Sequence, residues 1–123
     1  MLIFLAESDQ NLRLGMQMLL HQEAGMHVIG MAIEADGLLV QLEASRAELL
    51  ILDWQLSGAD MPALIPDIGG LVLPPKIVVL AVDPEVKALA LSAGADAFVG
   101  KNTPPDELLE VVRKLQEKET NHE

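Results

Sequence analysis

Asp53 ends a short apolar run, Leu49-Leu50-Ile51-Leu52, and is followed by a loop containing Gly58. Such a run fits a strand buried on both faces, as in a parallel sheet covered by helices. In open α/β sheets the carboxyl ends of the strands are where ligands bind. A carboxylate at that edge can ligate a cation or act as a nucleophile. On residue type alone it is more often a cap for the turn that follows. Two further charged positions lie at similar boundaries: Glu7-Ser8-Asp9 directly after the apolar Leu2–Ala6, and Lys101 shortly after Ala97–Val99. Whether these groups meet depends on the elements that carry them.

The apolar period switches between strand and helix along the whole chain. Leu2–Ala6 reads as a buried strand. Asp9 then stands as an N-cap for a helix in which Leu12, Gly15, Met16 and Leu19 recur on one face, closed by Gly25. His27–Ala32 is a second strand, and Glu34–Ala44 a second helix with Leu38, Leu39 and Leu42 inward. After the Asp53 strand, Pro66 and Gly69-Gly70 allow only a short or irregular third helix, with Pro62 suited to its first turn. Lys76–Ala81 is the clearest strand, continuous and rich in β-branched residues. An alanine- and leucine-rich helix, Pro84–Ala93, is closed by Gly94 and leads to the strand Ala97–Val99. Thr103 as cap, two prolines and Asp106-Glu107 open the last helix, whose Leu108, Val111, Val112 and Leu115 face the core. The polar stretch Lys114–Glu123 is expected to fray, giving one domain over 1–118 and a disordered tail over 119–123.

Five strands alternating with five helices predict an α/β fold: a doubly wound five-stranded parallel sheet. At 123 residues the flavodoxin-like strand order 2-1-3-4-5 is the natural choice. That order sets the ends of the first and third strands side by side, so Glu7, Ser8 and Asp9 meet Asp53, and Lys101 arrives from the fifth.

Composition narrows the function classes. A formal net charge of −11 repels phosphate backbones and anionic lipid, which argues against nucleic acid and membrane partners. The absence of cysteine excludes disulfides and thiolate metal sites and fits a cytoplasmic location. The opening Met1–Ala6 is too short for a signal peptide, and no run approaches a membrane span. The histidines at 21, 27 and 122 are scattered and suggest neither a metal site nor catalysis.

From Leu2 to about Leu115 the sequence resembles the receiver domain of bacterial two-component response regulators. The resemblance is carried most specifically by Leu50-Ile51-Leu52-Asp53 and by Ser92-Ala93-Gly94-Ala95-Asp96-Ala97-Phe98-Val99-Gly100-Lys101. It implies phosphorelay signalling and no enzyme in the ordinary sense. A histidine kinase or phosphotransfer protein donates a phosphoryl group to Asp53, with Lys101 neutralising charge. Mg²⁺ is held by Glu7, Asp53 and the backbone carbonyl of Gln55. Position 81 and the aromatic at Phe98 form the switch that signals to a downstream output protein. The resemblance also implies a kinase-docking first helix, where Leu14 and Met18 lie off the core stripe. A possible homodimer surface follows on the fourth helix, fifth strand and fifth helix, where Leu89 lies.

Two positions depart from the family pattern. Ser8 replaces the second acidic ligand, so Mg²⁺ binding is expected to be weak or absent. Ala81 replaces a Thr or Ser and has no hydroxyl to offer a phosphoryl oxygen, so a fixed Phe98 rotamer is expected. The segment between Ala81 and Gly94 is also slightly short for the family. Lys101 is open to two readings, a catalytic cation or a static ion-pair partner of Asp53. The expectation is a receiver with weak phosphorylation at Asp53. The alternative is an atypical pseudo-receiver, acting as a phosphorylation-independent interaction module. Both a stand-alone regulator and a receiver excised from a longer one fit.

Enzymes and cofactor domains on similar sheets are excluded by particular residues. Gln55 stands where a haloacid-dehalogenase-type phosphatase needs a second aspartate and a cobalamin-binding domain a histidine. Glu7-Ser8-Asp9 replaces the glycine-rich first turn of a dinucleotide site.

Overall fold

A computed structural model describes residues 1–120, with side chains described as far as Glu117. In chain order the elements are β1 (Leu2–Ala6), α1 (Gln10–His21), β2 (His27–Ala32), α2 (Leu38–Ser45), β3 (Leu49–Asp53), α3 (Met61–Gly69), β4 (Lys76–Ala81), α4 (Val86–Ala93), β5 (Ala97–Gly100) and α5 (Pro105–Thr120). The strands are parallel throughout and ordered β2-β1-β3-β4-β5. This is the doubly wound, flavodoxin-like sheet the sequence predicts.

Alternation along the inner strands divides the core in two. Phe4, Ala6, Leu50, Leu52 and Val79 pack on one face against Leu38, Leu42, Ile65, Ile68 and Ala90 of α2, α3 and α4. Ile3, Leu5, Ile51, Val78 and Leu80 pack on the other against Met16, Leu20, Leu108, Val112 and Leu115 of α1 and α5. With so few aromatics, one ring is used at close quarters. A Cβ on Gly30 of β2 would lie 2.5 Å from Phe4 Cε2, so only glycine admits the Phe4 ring there. The register of β1 against β2 shifts at the same place, Ile3 pairing with Val28 and Phe4 with Gly30.

Several boundaries differ from those the sequence suggests. The second helix begins at Leu38 and not at Glu34. Glu34 bridges to Ser57, and the Ala35 N–H donates to the Ser57 carbonyl, so these residues are drawn into the sheet's extension before Gly37 turns at φ +77°. Helix α1 ends at His21, four residues before Gly25, where the Gln22 N–H bonds back to Leu19. Pro66 lies inside α3 without ending it. Pro84 and Glu85 form a turn ahead of α4. Thr103 does not cap α5 with its side chain; its hydroxyl donates to the Gly100 carbonyl at 2.6 Å. Helix α5 continues through Lys114 to Thr120, because Leu115 is buried on its inner face and holds that turn down. The remainder of the expected tail, 121–123, lies outside the described residues.

Candidate functional site

Three strand ends build the site. At β1, the Glu7 N–H donates to the Ala32 carbonyl at 3.0 Å, carrying the parallel ladder one residue beyond the strand. The Glu7 side chain is buried at 1 % exposure. Its Oε2 accepts the Asp9 N–H at 3.0 Å, while its carbonyl accepts from the Arg13 guanidinium at 2.9 Å. Asp9 itself caps α1, its Oδ1 accepting the Leu12 N–H. The capping reading of Asp9 is therefore the one realised.

At β3, Asp53 is buried at 3 % exposure, and its Oδ1 accepts the Gln55 N–H at 3.0 Å. This is the local turn an aspartate makes with its own backbone two residues on. At β5, the Lys101 N–H donates to the Ala81 carbonyl at 2.8 Å, fixing the lysine at the strand's end. Its ammonium reaches Asp53 Oδ1 at 2.9 Å and the Glu7 carboxylate at 3.1 Å to Oε1 and 3.3 Å to Oε2. Glu7, Asp53 and Lys101 thus converge as the strand order requires.

The electrostatics follow from that packing. Burial pushes Glu7 above the ordinary carboxyl range; the Asp9 N–H and Lys101 oppose the rise, and neighbouring Asp53 adds to it. Burial also acts to raise Asp53, but Lys101, the Gln55 N–H and Glu7 together outweigh it and hold Asp53 low. For Lys101 burial favours the neutral amine, yet the two carboxylates prevail and keep it charged. The arrangement is an ionised Asp53 beside an ammonium, with Glu7 the member that holds a proton more readily.

Ser8 is turned away from this cluster. Its hydroxyl donates to the Ile33 carbonyl at 3.1 Å and accepts the Ser57 N–H at 3.3 Å, stapling the β2–α2 and β3–α3 loops to the end of β1. Ala81 is buried at the end of β4, paired with Gly100. Phe98 is half-buried against the α2–α3–α4 side of the core, paired with Val79. Trp54 packs partly against that same side. Arg13 has no counterpart among the sequence-based expectations. The signal for it is that it is the only Lys or Arg in α1, one turn in from Asp9.

The residues are suited to a lean magnesium site. Glu7 Oε1, although 3.1 Å from the ammonium, is the one buried side-chain oxygen among the described residues without a hydrogen bond. Two carboxylates plus a carbonyl suffice for an ion that keeps several waters. No group of three His, Cys, Asp or Glu side chains suited to a metal occurs among the described residues.

A doubly wound α/β domain with an acidic pocket and a lysine at the β1/β3 switch point defines the class as a signalling receiver. The family model "Response regulator receiver domain" matches residues 3–113, and the chain belongs to that family. It is thus a receiver domain of the two-component response regulators, a signalling module. Members generally bind Mg²⁺ at the acidic pocket and interact with histidine kinases or phosphotransfer proteins and with output domains. Among solved structures, a LuxR-family DNA-binding response regulator from Staphylococcus aureus is similar at 21 % identity, covering 93 % of this chain and 97 % of that one, with a TM-score of 0.82. The isolated receiver domain of RcsB from Salmonella enterica serovar Typhimurium is similar at 23 % identity, covering 95 % and 88 %, with a TM-score of 0.85. The receiver domain of a NarL-type regulator from Mycobacterium tuberculosis is similar at 20 % identity, covering 92 % and 93 %, with a TM-score of 0.82. At these identities the likeness establishes the fold. No curated protein matches. No helix among the described residues is long and apolar enough to cross a membrane.

Proposed function

We propose that this receiver accepts a phosphoryl group at Asp53 only weakly and passes its signal mainly by protein contact, in the cytoplasm. The observation that carries this is the engagement of Ser8. The position that resembles a second acidic ligand is spent on two loop carbonyl and amide groups, not on the pocket. Glu7, Asp53 and the Gln55 carbonyl are the groups that would hold Mg²⁺. When bound, the ion neutralises charge on the phosphoryl oxygens. Asp53 supplies the nucleophilic oxygen: the donor's phosphorus–nitrogen bond breaks, the acyl phosphate forms, and the donor imidazole takes up a proton. Lys101 balances the charge that gathers on the phosphoryl group. Ala81 brings no hydroxyl to the product, so the coupling of phosphorylation to Phe98 is loose.

The phosphodonor, a histidine kinase or phosphotransfer protein, docks along α1. Leu14 and Met18 are exposed there, and an apolar groove lined by Leu12, Gly15, Leu19, Pro104 and Leu108 leads to Lys101. The α4–β5–α5 side, with Leu89 and Leu91 exposed on α4, meets the downstream output protein. The Ser8 staple and Ala81 also favour a second reading, a pseudo-receiver that works without phosphorylation.

Incubation with Mg²⁺ and acetyl phosphate, followed by intact mass, tests the proposal. A sub-stoichiometric phosphoryl gain, lost in Asp53→Ala, is expected. A stoichiometric gain overturns the weakness, and no gain under prolonged incubation favours the second reading.

A further inference from the structure

Arg13 stands one turn into α1, half-buried, in a chain with 19 acidic and 8 basic residues. A helical arginine four positions after an aspartate ordinarily pairs with it across the surface. Asp9 is that aspartate, yet Arg13 takes part in none of the ion pairs among the described residues. Asp9 Oδ1 accepts the Leu12 N–H instead, and Arg13 Nη1 donates to the Glu7 carbonyl at 2.9 Å. Long helical side chains lean toward the amino end of their helix, which brings this guanidinium back to the end of β1.

The bond completes the anchoring of Glu7. Its N–H donates to the Ala32 carbonyl, its Oε2 accepts the Asp9 N–H, and its carbonyl accepts from Arg13. That carbonyl belongs to the planar Glu7–Ser8 peptide, so a charged donor on it fixes the plane between the two residues. Glu7 is turned inward, at 1 % exposure, and Ser8 outward to Ile33 and Ser57. Asp9 is taken up by the α1 cap and Ser8 brings no charge. The end of β1 therefore supplies the pocket with Glu7 alone, and the aim of that one carboxylate matters more than it would beside a second acid.

We propose that Arg13 is a positioning residue for Glu7: it holds the Glu7–Ser8 peptide and so keeps the Glu7 carboxylate aimed at Asp53 and Lys101. The proposal rests on the reading of Glu7 as a Mg²⁺ ligand and adds the residue that orients it. Groups that orient a ligand without touching the ion set much of its affinity. The sign of the effect separates this role from simple charge. A cation beside the pocket repels Mg²⁺, so by Coulomb's law alone its removal tightens binding. Loss of a positioning bond weakens it.

Mg²⁺ titration of the full chain, followed through Trp54 fluorescence, tests this together with amide NMR spectra of the metal-free protein. Arg13→Met keeps an aliphatic stem and a similar helix propensity but removes the donor. It is expected to weaken Mg²⁺ binding by about tenfold, and Arg13→Lys, which restores a charged donor, to recover most of that loss. In the metal-free protein the Asp9 amide proton, held by Glu7 Oε2, should move upfield in Arg13→Met, while that of Leu12, held by Asp9, stays in place. Arg113→Met deletes the exposed guanidinium paired with Glu23 and should alter neither readout.

Unchanged or tighter Mg²⁺ binding in Arg13→Met overturns the inference, as does an equal loss in Arg113→Met or no recovery in Arg13→Lys. So does an Asp9 amide that stays in place, or a Leu12 amide that moves with it, since α1 has then loosened as a whole. Glu7→Gln separates the two levels. If it leaves Mg²⁺ affinity unchanged, the reading of Glu7 as a ligand falls and the role of Arg13 with it. If it weakens binding while Arg13→Met does not, only the role of Arg13 falls. Should the parent take up no Mg²⁺, the Asp9 and Leu12 amides decide.

Discussion

Lys101 Nζ lies 2.9 Å from Asp53 Oδ1, the same oxygen that accepts the Gln55 N–H at 3.0 Å. The lysine is therefore part of the pocket's resting charge balance, along with any role it has toward a phosphoryl group. Removing it leaves two buried carboxyl groups facing one another. Lys101→Ala is expected to cost about 3 kcal/mol, the low end of the range for breaking a buried pair, because the lysine keeps some access to water. Asp53→Asn in the same chain should recover most of that loss. Urea unfolding of the two single variants and the double variant measures the coupling, and strict additivity would show that the contact is energetically idle.

The two carboxyls should pull the pH dependence of stability in opposite directions. Asp53 is held below its ordinary 3.8, so its contribution is present above that value and is lost as pH falls through the lower folded one. Glu7 is raised above its ordinary 4.5, first by burial. Between 4.5 and the raised value, the unfolded chain has released a proton that the folded chain retains, so stability falls as pH rises through that window. Glu7→Gln keeps a neutral acceptor for the Asp9 N–H and removes the titration. Urea midpoints measured across this range should decline in the parent and stay flatter in the variant; equal slopes would assign the titration to another group.

Repairing the metal site should work only at a cost to the loops. Ser8→Asp adds a carboxylate near Glu7 but gives up the hydroxyl that donates to Ile33 and accepts from Ser57. The expected outcome is tighter Mg²⁺ binding, followed through Trp54 fluorescence, with a stability loss of about 1 kcal/mol in metal-free buffer. An unchanged titration would mean that the new side chain keeps the outward orientation of the serine.

Gly30 is expected to be intolerant of even a methyl group. Gly30→Ala places a Cβ 2.5 Å from Phe4 Cε2 and 2.7 Å from Cδ2 in a ring that is fully packed. Overpacking of this kind typically costs about 1–3 kcal/mol. The thermal midpoint should fall in Gly30→Ala and recover in part when Phe4→Leu is added. A lone alanine variant as stable as the parent would show that the ring moves freely.

Much of this molecule was set by local pattern. The runs Leu2–Ala6, Leu49–Leu52 and Ile77–Ala81 are apolar throughout because both faces of the inner strands are covered, and that shows in the sequence alone. The alternation of such runs with helical periodicity determined the layer architecture and, at this length, made 2-1-3-4-5 the natural order, which the sheet adopts. The order in turn determined that Glu7, Asp53 and Lys101 meet. The tertiary structure decided what depends on hydrogen bonds between distant residues. Ser8 reaches Ile33 and Ser57, 25 and 49 positions away, and Lys101 reaches Glu7 across 94. The same kind of contact drew Glu34 and Ala35 out of the second helix and toward Ser57. A hydroxyl's partner and a carboxyl's proton affinity are fixed by neighbours that side-chain periodicity does not encode. Asp53 could thus be located from the sequence, while its ionised state beside Lys101 and the outward turn of Ser8 emerged only from the fold.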